Sequence, residues 1–196
     1  MKKFELTAEF VTNVFGKKLF RIKALVAFGN VVKGELGGFI EKEDNLSHDG
    51  DAWVYGDARV YGDARVSGNA RVSGDARVSG NASVFGNASV SDDARISGNA
   101  QVSGNASVFG NAWVYDNADY AVVEGFGRYF RATTFFRCKD KILRVQCGCF
   151  YGDLAEFREI VKKTHGDSKY AKEYLAIADL MELHFSGEEE NQEADE

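Results

Sequence analysis

Proline is missing from all 196 residues, where ordinary usage of about 5% would supply roughly ten. A residue without a backbone N–H cannot sit inside a sheet ladder, so its absence suits a chain made mostly of paired strands. No apolar run is long enough to span a bilayer, and Met1–Phe10 lacks the apolar segment of a signal peptide. Cysteine is scarce and odd in number, three residues in all, which does not make a disulfide framework. A cytoplasmic protein is the resulting expectation. Basic charge is also in deficit, with a net charge of −6, so the chain as a whole is no electrostatic match for nucleic acid. Part of the deficit lies in Glu188–Glu196, with six acidic residues and no basic one. Residues 186–196 are therefore expected to be a disordered, solubilising tail.

What is present is a period. From Gly50 to Ala121 a six-residue unit recurs twelve times without insertion, beginning GDAWVY GDARVY GDARVS GNARVS. Such a period is the mark of a parallel β-helix. Numbered from its glycine, the unit reads Gly, Asp/Asn, Ala, X, Val/Ile, Ser/Tyr/Phe. Strand alternation sends positions three and five inward and position four outward. Gly-Asp and Gly-Asn supply corners that tolerate a left-handed backbone. Asp92 and Asp116 replace the glycine in two units, and Asp is among the non-glycine residues least penalised there. So regular a rod has no long loop on which to assemble an active site.

Rewritten from its aliphatic residue, the unit Val-X-Gly-Asn-Ala-X resembles the hexapeptide repeat of the left-handed β-helix superfamily, the fold of trimeric acyltransferases. The longer phrase LGGFIEKEDNLSHDGDAWVYG, followed by GDARVSGNARVSGDARV, resembles YdcK-type β-solenoids of phages and prophages. The resemblance implies three hexapeptides per triangular coil, with residue n stacked on n+18. Arg59, Arg77 and Arg95 then form a ladder on one face, with Asp57, Asp75 and Asp93 in the same units. Trp53, Arg71, Ser89 and Ser107 fall on the second face, and Arg65, Ser83, Gln101 and Asp119 on the third. At about 4.8 Å per rung, four coils give a rod about 19 Å long. Like charges stacked so closely repel, and the neighbouring Asp row is expected to offset the Arg row. Aromatics gather at the two ends of the repeat, Trp53, Tyr55 and Tyr61 in one group and Phe109, Trp113 and Tyr115 in the other. They are expected to pack under caps.

The flanks read differently. Residues 1–43 form an N-terminal cap: alternating Phe4, Leu6, Ala8 and Phe10, a turn over Asn13–Lys18, then alternating Phe20, Ile22, Ala24 and Val26 make a hairpin, and Gly29–Gly38 reads as irregular. Residues 44–121 form the β-helix. Residues 122–185 form a small α+β domain that could cap the rod or stand alone. It opens with a hairpin, Arg128–Cys138 and Lys141–Cys147. A capping box, Asp153-Leu-Ala-Glu156, starts a helix that presents Leu154, Phe157 and Val161. Gly166 ends it. A second helix over Ser168–His184 carries Tyr170, Tyr174, Ile177 and Met181 along one stripe.

The superfamily resemblance implies acyl transfer with a histidine base, acyl-CoA lying between neighbouring rods. No histidine occurs from Gly50 to Ala121, and His48 is the nearest. Cys147-Gly-Cys149 places two thiols at i and i+2, and Cys138, His165 and His184 are the remaining conceivable zinc ligands, at no recognised spacing. Buried, inert thiols are the simpler reading. A Cys149–His165–Asp167 nucleophile can also be written down. No catalytic residue, cofactor or metal site is assigned. The expectation is a non-enzymatic left-handed parallel β-helix with an N-terminal hairpin cap and a C-terminal α+β domain. It acts as a protein-binding or scaffold module, a homo-oligomer (trimer or dimer), with interface candidates Phe85, Arg65, Gln101, Arg59, Arg77 and Arg95. The phage-type likeness adds inhibition of a host defence protein, in the host cytoplasm. An acyltransferase acting between subunits and a binder of a nucleotide-like ligand are the alternatives.

Overall fold

The computed structural model describes residues 2–186, so the acidic tail lies outside the described residues. The chain divides into two compact units, one ending at Asn117 and the other starting at Ala118.

The first unit begins with an antiparallel hairpin of β1 (Phe4–Thr12) and β2 (Lys18–Ala24). Its turn is held by Asn13, whose Oδ1 accepts from the N–H of Phe15 at 2.9 Å and of Lys17 at 3.0 Å. β2 stops at Ala24, short of Val26. Next comes β3 (Leu36–Ile40), inside the segment expected to be irregular at its glycines. Gly37 and Gly38 are there for proximity. A Cβ on Gly37 would lie 2.5 Å from the Val54 carbonyl oxygen, and one on Gly38 2.6 Å from that of Ala58. β2 pairs antiparallel with β3, and β3 pairs parallel with the strand Arg59–Val60. The hairpin thus continues one rod face outward.

The rod itself contains eleven two-residue strands, β4 (Trp53–Val54) to β14 (Trp113–Val114), one per six residues. They stack in three parallel sheets with the predicted eighteen-residue offset. Arg59, Arg77, Arg95 and Trp113 follow one another on one face, Trp53, Arg71, Ser89 and Ser107 on the next, and Arg65, Ser83 and Gln101 on the third. Backbone bonds tie each coil to the next: Arg77 N–H donates to the Ala94 carbonyl and Ser79 N–H to that of Ile96, both at 2.9 Å. Every position-three Ala from Ala52 to Ala112 and every position-five Val or Ile from Val54 to Val114 is buried. The corner glycines have positive φ, and Asp92 replaces one at φ 56°. Asp116 does not take that conformation, because the repeat has already ended in a short turn over Asn117–Asp119. Position two adds amide ladders. Asn69 donates to Asn87 and Asn87 to Asn105, each at 3.0 Å, and Asn81 donates to Asn99 at 3.1 Å.

The first coil has no coil before it, so its corner carbonyls need other donors. Lys3 Nζ donates to Gly50 O at 3.2 Å and Ala52 O at 2.9 Å. Asn45 Nδ2 donates to Gly62 O at 3.1 Å and Ala64 O at 2.8 Å. Both side chains are buried. Phe4 and Phe28 close over Trp53, which is fully buried, so the expected aromatic packing holds at this end. At the other end Trp113 and Tyr115 stay 44% and 63% exposed.

The second unit is a four-stranded antiparallel sheet, β15 (Tyr120–Val123), β16 (Thr133–Arg137), β17 (Leu143–Cys147) and β18 (Phe150–Asp153), with α1 (Leu154–His165) and α2 (Lys169–Phe185) packed on it. The capping box is formed: Asp153 Oδ1 accepts from Glu156 N–H and Glu156 Oε2 from Asp153 N–H, each at 2.8 Å. Gly166 closes α1 at φ 55°. Tyr174, Ile177 and Met181 are buried as the stripe requires, whereas Tyr170 points outward. No helix among the described residues is long and apolar enough to cross a membrane.

Candidate functional site

The face of the rod carrying Arg65, Ser83 and Gln101 gathers several of the residues that sequence singled out. Position four on this face is partly or fully exposed throughout. Position six runs Ser67, Phe85, Ser103, so Phe85 stands 38% exposed between two small side chains. At the N-terminal end of the face, Glu43, Asp44, Ser47, His48, Arg65 and Ser67 line a shallow depression of about 550 Å³. Sequence reasoning found His48 and Arg65 but missed the two carboxylates. Their only signal was the run Glu41-Lys-Glu-Asp44 immediately before the rod.

His48 is held by its ring and by one ring nitrogen. Its Nδ1 accepts from the Lys3 backbone N–H at 3.2 Å, its Nε2 lies 3.7 Å from Glu43, and its ring stacks on Phe4 at 4.4 Å between centroids. Glu43 also accepts from Lys2 Nζ at 2.7 Å, and that bond, with the charge beside it, holds its carboxyl below the ordinary carboxylate range. A base needs one ring nitrogen turned toward a substrate proton. Here the geometry fits a clasp between the first strand and the start of the rod.

The Arg59, Arg77 and Arg95 ladder stacks as predicted, and the neighbouring Asp row makes no direct ion pair with it. Among the described residues no carboxylate lies within ion-pair distance of these three guanidiniums. Asp57 is reached by Arg21 instead, at 3.8 Å. The Asp side chains sit at the corner and the Arg side chains on the flat of the strand.

In the second unit the cysteines part company. Gly148 turns at φ 62° between β17 and β18, which takes Cys147 and Cys149 off a shared strand face. Cys147 accepts from Thr133 Oγ1 at 3.2 Å and lies 3.9 Å from the Tyr174 hydroxyl, while Cys149 is exposed. Burial pushes the Cys138 thiol up to about 11 and the Tyr174 phenol up to about 12. His165 packs its ring near Tyr174 and Tyr170. No group of three potential metal ligands occurs among the described residues.

A family model described as the YdcK β-solenoid repeat matches residues 52–68, 64–80 and 100–116. Those segments lie toward the two ends of the stacked coils, with residues 81–99 between them. The matched coils are YdcK-type β-solenoid repeats. No curated protein matches the chain in sequence. The YdcK-type repeat accounts for the coils, and the clasp of Lys3, Asn45 and His48 lies outside its matched segments.

Proposed function

We propose that this YdcK-type chain is a protein-interaction or scaffold module without chemistry of its own. The observation that carries this reading is the Arg65–Gln101 face, a three-stranded parallel sheet on which Phe85 stands exposed between two serines, with Arg65 exposed one coil away. Aromatic and arginine side chains on a small-residue background are what protein interfaces use as anchors. The bond that His48 Nδ1 accepts from the Lys3 backbone and the stacking of its ring on Phe4 weigh against the acyltransferase alternative, in which that imidazole would be the base. A phage or prophage setting, with a host defence protein as target, is the part of the proposal suggested by the resemblance alone.

The test is affinity capture from the native host with the tagged full chain and with an Arg65→Ser/Phe85→Ser variant. A partner enriched by the first and lost with the second supports the reading. Retention of acyl-CoA by the purified chain, abolished by His48→Ala, would replace it with the enzyme.

A further inference from the structure

The opposite requirement governs the Arg59–Arg77–Arg95 face. Three guanidiniums stack one per coil, and Asp75 and Asp93 lie exposed two residues before Arg77 and Arg95. Two residues of extended chain separate the rows by about 6–7 Å. Neighbouring like charges about 4.8 Å apart repel by about 0.9 kcal/mol even at the dielectric constant of water. Among the described residues no carboxylate comes within ion-pair distance of Arg59, Arg77 or Arg95; the Asp row at about 6–7 Å offsets part of the repulsion, and Arg95 lies 6.0 Å from the centre of the Trp113 ring. A positive row beside a negative row, at equal rise, is a self-complementary pattern.

We infer that this face docks on the same face of a second copy of the chain, the two rods parallel about a two-fold axis that runs between the rows. The inference rests on reading the rod as an interaction surface. Rotation about such an axis exchanges left and right but keeps height. Arg77 of each copy then faces Asp75 of the other, and Arg95 faces Asp93, at matching levels. An axis perpendicular to the rod would set Arg against Arg and is excluded by charge. Position six contributes Ser79 and Ser97 at the middle of this face, small side chains that let the rows approach there, between Tyr61 and Tyr115 in its outer coils. The contact is small. A face about 19 Å tall and at most about 20 Å wide falls well below the roughly 800 Å² per partner of a standard interface. Association is therefore weak and salt-labile, in a rapid monomer–dimer exchange.

Charge exchange tests this directly. Sedimentation velocity of the full chain at several hundred micromolar and low salt should show a dimer that dissociates as salt is raised. Arg77→Asp or Asp75→Arg alone should weaken dimerisation at least tenfold, because each reversal turns two attractive contacts per dimer into repulsive ones. The double variant Arg77→Asp/Asp75→Arg should recover it. These changes keep the fold: position four already accepts Ser83, Ser89 and Gln101, and Asp75 does not have a positive φ. Unchanged melting curves would verify that. A monomeric wild type, a trimer, or single reversals that associate like the wild type would overturn the inference. If partner capture through Phe85 persists with a monomeric chain, this inference fails alone and the binding-module reading stands.

Discussion

Replacing Lys3 with methionine isolates the closure of the rod's first coil. Lys3 is 3% exposed, and its ammonium spans Gly50 O and Ala52 O while facing the Phe28 ring at 4.7 Å. Burial lowers its pKa from 10.5 to about 8, against the opposing pull of Asp51 and Asp49. Methionine fills the space but leaves two carbonyls without a donor, at about 1–3 kcal/mol each. It also relieves the burial of a charge. A folded pKa of about 8 against 10.5 unfolded makes that relief about 3 kcal/mol. The two effects largely cancel near pH 7, where Lys3→Met should fall between a gain of about 1 kcal/mol and a cost of about 3 kcal/mol. Between pH 8 and 10.5 the unfolded wild type still holds a proton that the folded state has released, so wild-type stability gains with pH. The neutral amine keeps two N–H groups for its two carbonyls. The cost of Lys3→Met should therefore grow through that window, to about 2–6 kcal/mol above it. Urea denaturation followed by the fluorescence of buried Trp53, at pH 7 and pH 10, measures the difference. A cost that does not change with pH, or a variant as stable as the wild type at pH 10, would refute the capping argument.

Other expectations are simpler. Asn45→Ala strips Gly62 O and Ala64 O of their donor and should destabilise by about 2–5 kcal/mol, read by thermal unfolding. Gly127→Ala forces an alanine to φ 71° and drives its Cβ into the Tyr174 ring, which should cost about 2 kcal/mol or more, measured by chemical denaturation. Thiol labelling at pH 8 should modify exposed Cys149 first and half-buried Cys147 later. Cys138, with its thiol pushed up to about 11, should react only on unfolding.

The rod was legible because its period repeats one physical problem: a small residue at the corner, an aliphatic residue inside, and a glycine where φ is positive. Eighteen-residue stacking then placed Arg59 over Arg77 and Ser83 over Gln101 without any coordinates. Helix signals worked equally well where chemistry is local, as in the Asp153–Glu156 capping box. Features that depend on distant neighbours were hidden. Leu36–Ile40 looked like loop because Gly37 and Gly38 dominate it, yet those glycines are demanded by the approach of Val54 and Ala58. Nothing near Lys3 in sequence announces that its ammonium would reach Gly50 and Ala52. Nor did the list of Arg and Asp positions reveal that Asp57 would be reached by Arg21 of the N-terminal hairpin and not by its own neighbour Arg59.

The central claim is that the Arg65–Phe85–Gln101 face is a protein-binding surface. Quantitative affinity capture from the native host, comparing the wild type with Arg65→Ser/Phe85→Ser at matched stability, tests it most directly. A partner enriched by the wild type and lost with the variant is the expected result. Equal enrichment by both chains would contradict it.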